Sequence, residues 1–326
     1  MKKLIFILVI IFTVACVKQY PYTIKQEPSL VVNANVKANM PIEVYVCGIG
    51  DGRVDSLDAS IVVNNIDTLK LQVRGNISGF AYLYKSQECC VSGDSLELLI
   101  QDNFSYYPDV RAKTCVPDTI VAKLDRVYKL PNRESIPVND LSLSKYTEDS
   151  LCVFECHIGD LNGVDNCYNI YCYDRGYEHN IGAIYNGSFD PIFKDKRITT
   201  SLKGNAIGFS GVITDELFDG KDYGFSIYTR SRDGSSEAIK NNPDAIFVGA
   251  VPKTYRLVIQ HINGDYYRYL KWIEVALCAQ KDIFADPIAF SSIESNVEGG
   301  YGFFSACASV LLKGDFVFYT WATMMD

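Results

Sequence analysis

From Ser29 onward, apolar and polar residues alternate: Leu30, Val32, Ala34 and Val36 share one face, while Val31, Asn33 and Asn35 point the other way. A period of two is that of a strand with one buried face. The alternation returns at Ile42, Val44 and Val46, at Ala59, Ile61 and Val63, at Leu69, Leu71 and Val73, and at Leu96, Leu98 and Ile100, with Gly, Asp and Asn punctuating the gaps. Short strands at this spacing, with no helical stretch between them, predict an antiparallel sandwich rather than a parallel sheet with crossover helices. Residues 29–125 therefore read as an N-terminal β-sandwich of immunoglobulin-like type. The polar stretch 126–149 holds Pro131 and Pro137, loses the alternation, and reads as an interdomain linker.

A second β-rich domain is expected over residues 150–326. Leu151 to Ile158 and Cys167 to Tyr173 flank the turn-rich Gly159-Asp160-Leu161-Asn162-Gly163-Val164-Asp165, and further alternation appears at Tyr223, Phe225, Ile227 and at Tyr255, Leu257, Ile259. One segment changes period. After Asn263, a candidate N-cap, Tyr266, Leu270, Ile273 and Leu277 recur at helical spacing, with Arg268, Lys271 and Glu274 on the other side. This predicts a helix over about 264–280 that packs its aromatic stripe on the sheet, a sugar platform being the alternative use of those rings. The expected fold class is mainly β, with two antiparallel β-sandwich-like domains, the second carrying one packed α-helix near the C-terminus.

The amino terminus follows a different logic. Met1, Lys2 and Lys3 lead into the apolar run Leu4 to Phe12, and Thr13-Val14-Ala15-Cys16 follows. The run is about half the length a spanning helix needs, so it reads as a processing segment rather than an anchor. Basic start, short apolar core and small residues before a cysteine describe a lipoprotein signal peptide over residues 1–15, with Cys16 acylated and 16–28 as the tether. Thr13 stands where such motifs usually carry an aliphatic residue, and an ordinary secreted protein is the alternative.

Charge narrows the partners. The chain has 31 Lys plus Arg against 39 Asp plus Glu; losing Lys2 and Lys3 with the signal moves the net charge from -8 to 29 minus 39, or -10. An acidic chain without basic runs is a poor match for phosphate backbones or anionic headgroups, so no nucleic acid is expected. Of 11 cysteines, 10 remain once Cys16 is lipidated, an even number that favours disulfides in an exported protein. If Leu151–Ile158 and Cys167–Tyr173 form a hairpin about Asn162, Cys152 faces Cys172, and a bulge would let Cys156 meet Cys167. The competing arrangement places the two strands in different sheets. A zinc site from Cys152, Cys156, Cys167, Cys172 and His157 lacks the two-residue spacing of a zinc knuckle. The adjacent Cys89 and Cys90 are expected to pair elsewhere, or one of them to stay buried and reduced.

The tail Asp286-Pro287-Ile288, then Ser295-Asn296-Val297-Glu298-Gly299-Gly300-Tyr301-Gly302-Phe303-Phe304, is similar to the closing signature of a Bacteroidota outer-membrane lipoprotein family, domain of unknown function 4249. Leu30-Val31-Val32, Asp58-Ala59, Gly93-Asp94 before Leu96, and Ala112-Lys113-Thr114-Cys115-Val116-Pro117 resemble its first domain. Asn166-Cys167-Tyr168, Phe218-Asp219-Gly220-Lys221-Asp222-Tyr223 and Asp265-Tyr266-Tyr267-Arg268-Tyr269-Leu270 resemble its second. The tail is the specific mark, and Pro117, Asn296, Gly299, Gly300, Gly302, Phe303 and Phe304 read as structural members of the pattern. The resemblance implies an outer-membrane lipoprotein often found alongside TonB-dependent transporters; it implies no established reaction.

Motifs for catalysis are sparse. His157, His179 and His261 lie far apart in sequence, and Gly208-Phe209-Ser210-Gly211-Val212 misses the last glycine of a nucleophile elbow. Asp160, Asn162, Asp165 and Asn166 gather oxygens in one loop, but without the ordered spacing of a calcium loop they read as an ordinary tight turn. No catalytic, cofactor-binding or metal residue is nominated. The expectation is a lipid-anchored accessory or binding protein of the outer membrane, working with a TonB-dependent transporter in nutrient capture. A surface adhesin or structural subunit is the alternative, and a glycan- or peptide-acting hydrolase the third reading. The surface is favoured over the periplasmic face, although Val17-Lys18-Gln19-Tyr20 carries no acidic cluster.

Overall fold

The computed structural model describes residues 27–76, 81–129, 151–174, 186–187, 190–194, 210–230, 245–278 and 295–323. It is mainly β, with one large curled sheet, a second smaller sheet and, among the described residues, a single α-helix. No helix among them is long and apolar enough to cross a membrane.

The first sandwich is built from β1 (Ser29–Lys37), β2 (Pro41–Ile49), β3 (Asp58–Val63), β4 (Asp67–Asn76), β5 (Ala81–Cys89), β6 (Ser95–Gln101) and β7 (Val110–Cys115). The alternation sorts as the sequence predicts: Leu30, Val32, Ala34, Val36, Ile42, Val44, Val46, Ala59, Ile61, Leu96, Leu98 and Ile100 are all buried in one core. Turn chemistry fixes the register. Asn64 and Asn65 both adopt positive φ in the short connection between β3 and β4, a turn closed by Ile66 N bonding Val63 O at 3.0 Å. The Asn64 carboxamide then bonds Asp94 Oδ1 at 2.8 Å and accepts from Ser95 N at 2.9 Å, tying that hairpin to the start of β6.

The chain then crosses to the second sandwich. β8 (Val121–Lys129), β9 (Leu151–Gly159), β11 (Asn186–Gly187) and β13 (Asp222–Arg230) form the smaller sheet, in the order β11-β13-β9-β8. It packs against β10 (Cys167–Asp174), β12 (Val212–Thr214) and β14 (Ala245–Ile262), which extend the large sheet. Phe154, Cys156 and Ile158 of β9 meet Ile170 of β10 and Leu257 and Ile259 of β14 in the shared core.

Two expectations are corrected here. Residues 126–129 are not linker: β8 pairs with β9 as far as Lys129↔Cys152. The rest of the expected linker lies outside the described residues. The hairpin of Leu151–Ile158 with Cys167–Tyr173 does not form either, because β9 and β10 lie in different sheets. Both strands carry an apolar face, and the connection 160–166 is long enough to cross the roughly 10 Å between packed sheets, so facing across the core buries more than pairing edge to edge. Cys152 therefore lies opposite Thr229 and Lys129, and Cys172 opposite Leu257.

The helix α1 (Gly264–Cys278) begins as the sequence predicts: Asn263 Oδ1 accepts from Tyr266 N at 2.9 Å. Tyr266, Tyr267 and Leu270 pack on Cys167, Val212, Ile262 and Cys307, so the rings serve packing. Lys271 departs from the expected polar face and is buried, because the segment before β12 covers that side of the helix.

The last two strands close the first sandwich. β15 (Val297–Glu298) pairs with β7, and after Gly299-Gly300 the 23-residue β16 (Tyr301–Thr323) pairs in parallel with β1 and then antiparallel with β14. The two ends of the strand run β1-β2-β5-β4-β3-β6-β7 are thereby brought together by one turn. So Val297, Phe304 and Ala306, expected in the C-terminal domain 150–326, belong to the first core. Phe303 and Phe304 face opposite ways, as strand geometry demands. Phe304 is fully buried in that core, while Phe303 stacks on Tyr269 at 4.6 Å beneath α1.

Asn296 completes this closure. β14 begins to pair with β16 only at Cys307, which leaves the peptide groups of Phe304 facing an open edge. The Asn296 carboxamide fills it as a strand would, donating to Phe304 O at 2.7 Å and accepting from Phe304 N at 2.9 Å. At about 1 kcal/mol for each hydrogen bond, Asn296→Ala is expected to lower stability by about 2 kcal/mol. Urea unfolding checks this, and an unchanged midpoint would contradict the role given to Asn296.

Candidate functional site

The strongest concentration of chemistry among the described residues lies where the loop after β9 meets the loop after β12. Asp160, Asp215 and Asp219 each present a carboxylate oxygen within 4.8 Å of the others. Sequence separation hides this grouping, since 55 residues part Asp160 from Asp215, and local spacing showed only Asp160 and its neighbours.

Backbone and neutral side chains hold the three in place. Asp160 accepts from Tyr168 Oη, from Asn166 Nδ2 at 3.1 Å and from Gly220 N at 2.8 Å. Asp215 accepts from Asn166 N at 2.8 Å, and Asp219 from Gly163 N at 3.0 Å. Gly220 sits at φ +67, and a Cβ there would stand 2.7 Å from Asn162 Oδ1, so only glycine lets the two loops interlock. Burial, joined by the negative charges of Asp160 and Asp219, holds the Asp215 carboxyl above its ordinary value of 3.8. Burial first, then the bond to Asp160, pushes the Tyr168 hydroxyl up, so it stays protonated and remains a donor.

The pH dependence follows from that shift. A carboxyl with a raised folded pKa contributes stability below its ordinary value and loses it as pH climbs through the folded value. Asp215→Asn is therefore expected to unfold at higher urea than wild type near neutral pH, in buffer free of divalent ions, with the difference closing towards pH 3.8. Wild type being the more stable at neutral pH would contradict the repulsion argued here.

A second polar group lies under the helix. Ser210, 1% exposed, accepts from Val212 N at 3.1 Å and from Lys271 Nζ, and shares its own proton between Val212 O at 2.9 Å and Glu274 Oε2 at 2.7 Å. A serine beside a lysine invites a nucleophile reading, but every valence of this hydroxyl is engaged in holding α1 against the sheet. The near-miss elbow is thus a buttress. A third feature is a polar cleft of about 310 Å³ beside the tail turn, lined by Asp58, Ser60, Gln101, Asp109, Arg111 and Glu298. Two of its charged groups are paired with neighbours, Arg111 with Glu97 at 3.1 Å and Asp58 with Lys70 at 3.9 Å, and Asp109 accepts from Gln101 Nε2 at 3.3 Å.

Residues 17–311 match the family model described as Domain of unknown function (DUF4249). The chain belongs to this family. No curated protein matches it.

In this DUF4249 chain the tail residues Asn296, Gly299, Gly300, Gly302, Phe303 and Phe304 are gathered at the closure of the first sandwich, and Pro117 lies on the connection leaving β7. That connection is tied to the second sandwich by His261 Nδ1, which donates to Asp118 O at 2.8 Å, and the end of β7 by Asn263 Nδ2, which donates to Thr114 Oγ1 at 2.8 Å. His157 is instead paired with Asp125 across the face of the smaller sheet. His179 and Cys16 lie outside the described residues. The expected Cys156–Cys167 bridge is corrected: the two are separate buried thiols, Cys156 in the second core and Cys167 under α1. Burial pushes Cys156 up to about 12 and Cys167 up to about 11, which makes both inert as nucleophiles. Cys90 is likewise a buried thiol, while Cys89 beside it is exposed. Among the described residues no cysteine or histidine joins a group fit to hold a metal, so the zinc alternative finds no geometry there.

Sequence reasoning missed Asp215 and put Lys271 on a solvent-facing side of the helix, whereas it is buried. Asp219 and Asn166 lay inside segments already noticed for their turn and strand chemistry, and of the two only Asn166 bonds Asp160.

Proposed function

We propose that this protein is a lipid-anchored accessory protein of a bacterial outer membrane that works by binding, in partnership with a TonB-dependent transporter for nutrient capture. The observation that carries the reading is the Thr13-Val14-Ala15-Cys16 motif behind a short apolar run, with the matched family region starting directly after it at residue 17. Cys16 precedes β1 at Ser29 by a tether of 12 residues, 17 to 28. Two sandwiches joined by the long strand β16 stand at the end of such a tether, a design suited to presenting a surface.

Mild solubilisation of membranes, followed by purification through this chain, tests the reading. A stoichiometric β-barrel transporter in the eluate is expected. Recovery of the chain alone, or of self-assembled polymers of it, would overturn the transporter role, and polymers would favour an adhesin or structural subunit.

A further inference from the structure

The carboxylates of Asp160, Asp215 and Asp219 share a small volume without a cation. None of the three pairs with a Lys, Arg or His among the described residues. Repulsion among three such groups at this range is costly unless something neutralises it.

A second observation is independent of that charge. Asn166 is 1% exposed, and its Nδ2 finds three acceptors, Asp160 Oδ1 at 3.1 Å, Leu161 O at 3.2 Å and Val164 O at 3.0 Å. Its Oδ1 is buried and has no hydrogen-bond partner among the described residues. An orphaned amide oxygen is rare in a folded protein and marks the place of a missing donor or cation. The Asn166 amide group is held at the cluster from both ends, since its backbone N bonds Asp215 and its Nδ2 bonds Asp160. The orphan oxygen belongs to the amide that already bonds Asp160, which offers it to the same group as a fourth hard donor.

We propose that Asp160, Asp215, Asp219 and the Asn166 side-chain oxygen form a calcium site that clamps the loop after β9 to the loop after β12. All four donors are oxygens, with neither thiolate nor imidazole, which selects calcium or magnesium over transition metals. Calcium is favoured because two irregular loops supply the donors, and magnesium demands near-ideal octahedral geometry. The hydrogen bonds from Tyr168, Gly220 and Gly163 pre-position Asp160 and Asp219. Since β9 and β10 lie in different sheets, the ion would cross-link the two layers of the second sandwich at one end.

Calorimetric titration of the detergent-solubilised full chain with calcium chloride tests this. One ion per chain is expected, with a dissociation constant of about 10⁻⁵–10⁻³ M, from the weak end of sensor sites to the weak end of extracellular modules. The thermal midpoint should rise with calcium concentration. Terbium should report the same site by emission excited through Tyr168, and calcium should quench it. Asp219→Asn keeps an acceptor for Gly163 N while removing one charge, so it is expected to be at least as stable as wild type in chelator yet bind at least about tenfold more weakly, because affinity follows ligand charge. Absence of heat and of any thermal shift up to about 10 mM calcium, beyond the weakest such sites, would overturn the proposal. So would unaltered binding by Asp219→Asn.

Discussion

Gly302→Ala is expected to open the first sandwich. Gly302 lies at φ +107, a conformation L side chains rarely adopt, and it pairs with Val32 in the parallel ladder between β16 and β1. A Cβ there would stand 1.9 Å from Val32 O and 2.9 Å from Val32 C. Val32 cannot retreat: its side chain is fully buried, and its strand is also paired to β2 through Val32↔Val46. Strain and steric overlap each cost about 1–3 kcal/mol, so a loss of about 3 kcal/mol or more is expected, carried by detachment of β16 from β1. Gly93→Ala is the control. Gly93 also has positive φ, at +87, but nothing lies within 4 Å of its Cβ position, so conformational strain alone should cost about 1 kcal/mol. Urea unfolding of the two variants separates the effects, and equal losses would show that the tail does not close the sheet tightly.

The first sandwich was largely legible because its signal is local. Period two in Leu30–Val36, Ile42–Val46 and Leu96–Ile100 reports burial on one face, and those residues fill the core. Residue order also placed the helix, since Asn263 and the following periodicity are local features. Long-range pairing left no comparable trace. That Tyr301–Cys307 returns to lie parallel to β1, some 270 residues back, depends on which edge is free, and no run of residues encodes that. The false hairpin at Asn162 arose for the same reason: two apolar strands around a turn are equally consistent with pairing in one sheet and with facing across a core. The carboxylate group was half visible. Asp160 and Asn166 stood out within one loop, whereas Asp215 and Asp219 arrive from another, and the unpartnered oxygen of Asn166 appears only when both loops are packed.

The anchor carries the account's largest expected effect in the cell. Each buried methylene of an acyl chain contributes about 0.8 kcal/mol of membrane affinity, and one chain alone gives only marginal binding, so several chains on one residue decide between permanent attachment and release. On the proposed reading, Cys16→Ala removes all of them at once. Among the described residues the first strand begins at Ser29 and the core at Leu30, both well after Cys16 in the chain. The variant should therefore keep its circular dichroism spectrum and its urea midpoint.

Metabolic labelling with palmitate, followed by membrane fractionation of wild type and Cys16→Ala, tests the lipid-anchored reading most directly. The account predicts labelled wild-type protein in the membrane fraction and an unlabelled, folded Cys16→Ala protein in the soluble fraction. Wild type without label, or Cys16→Ala sedimenting with membranes as wild type does, would contradict it.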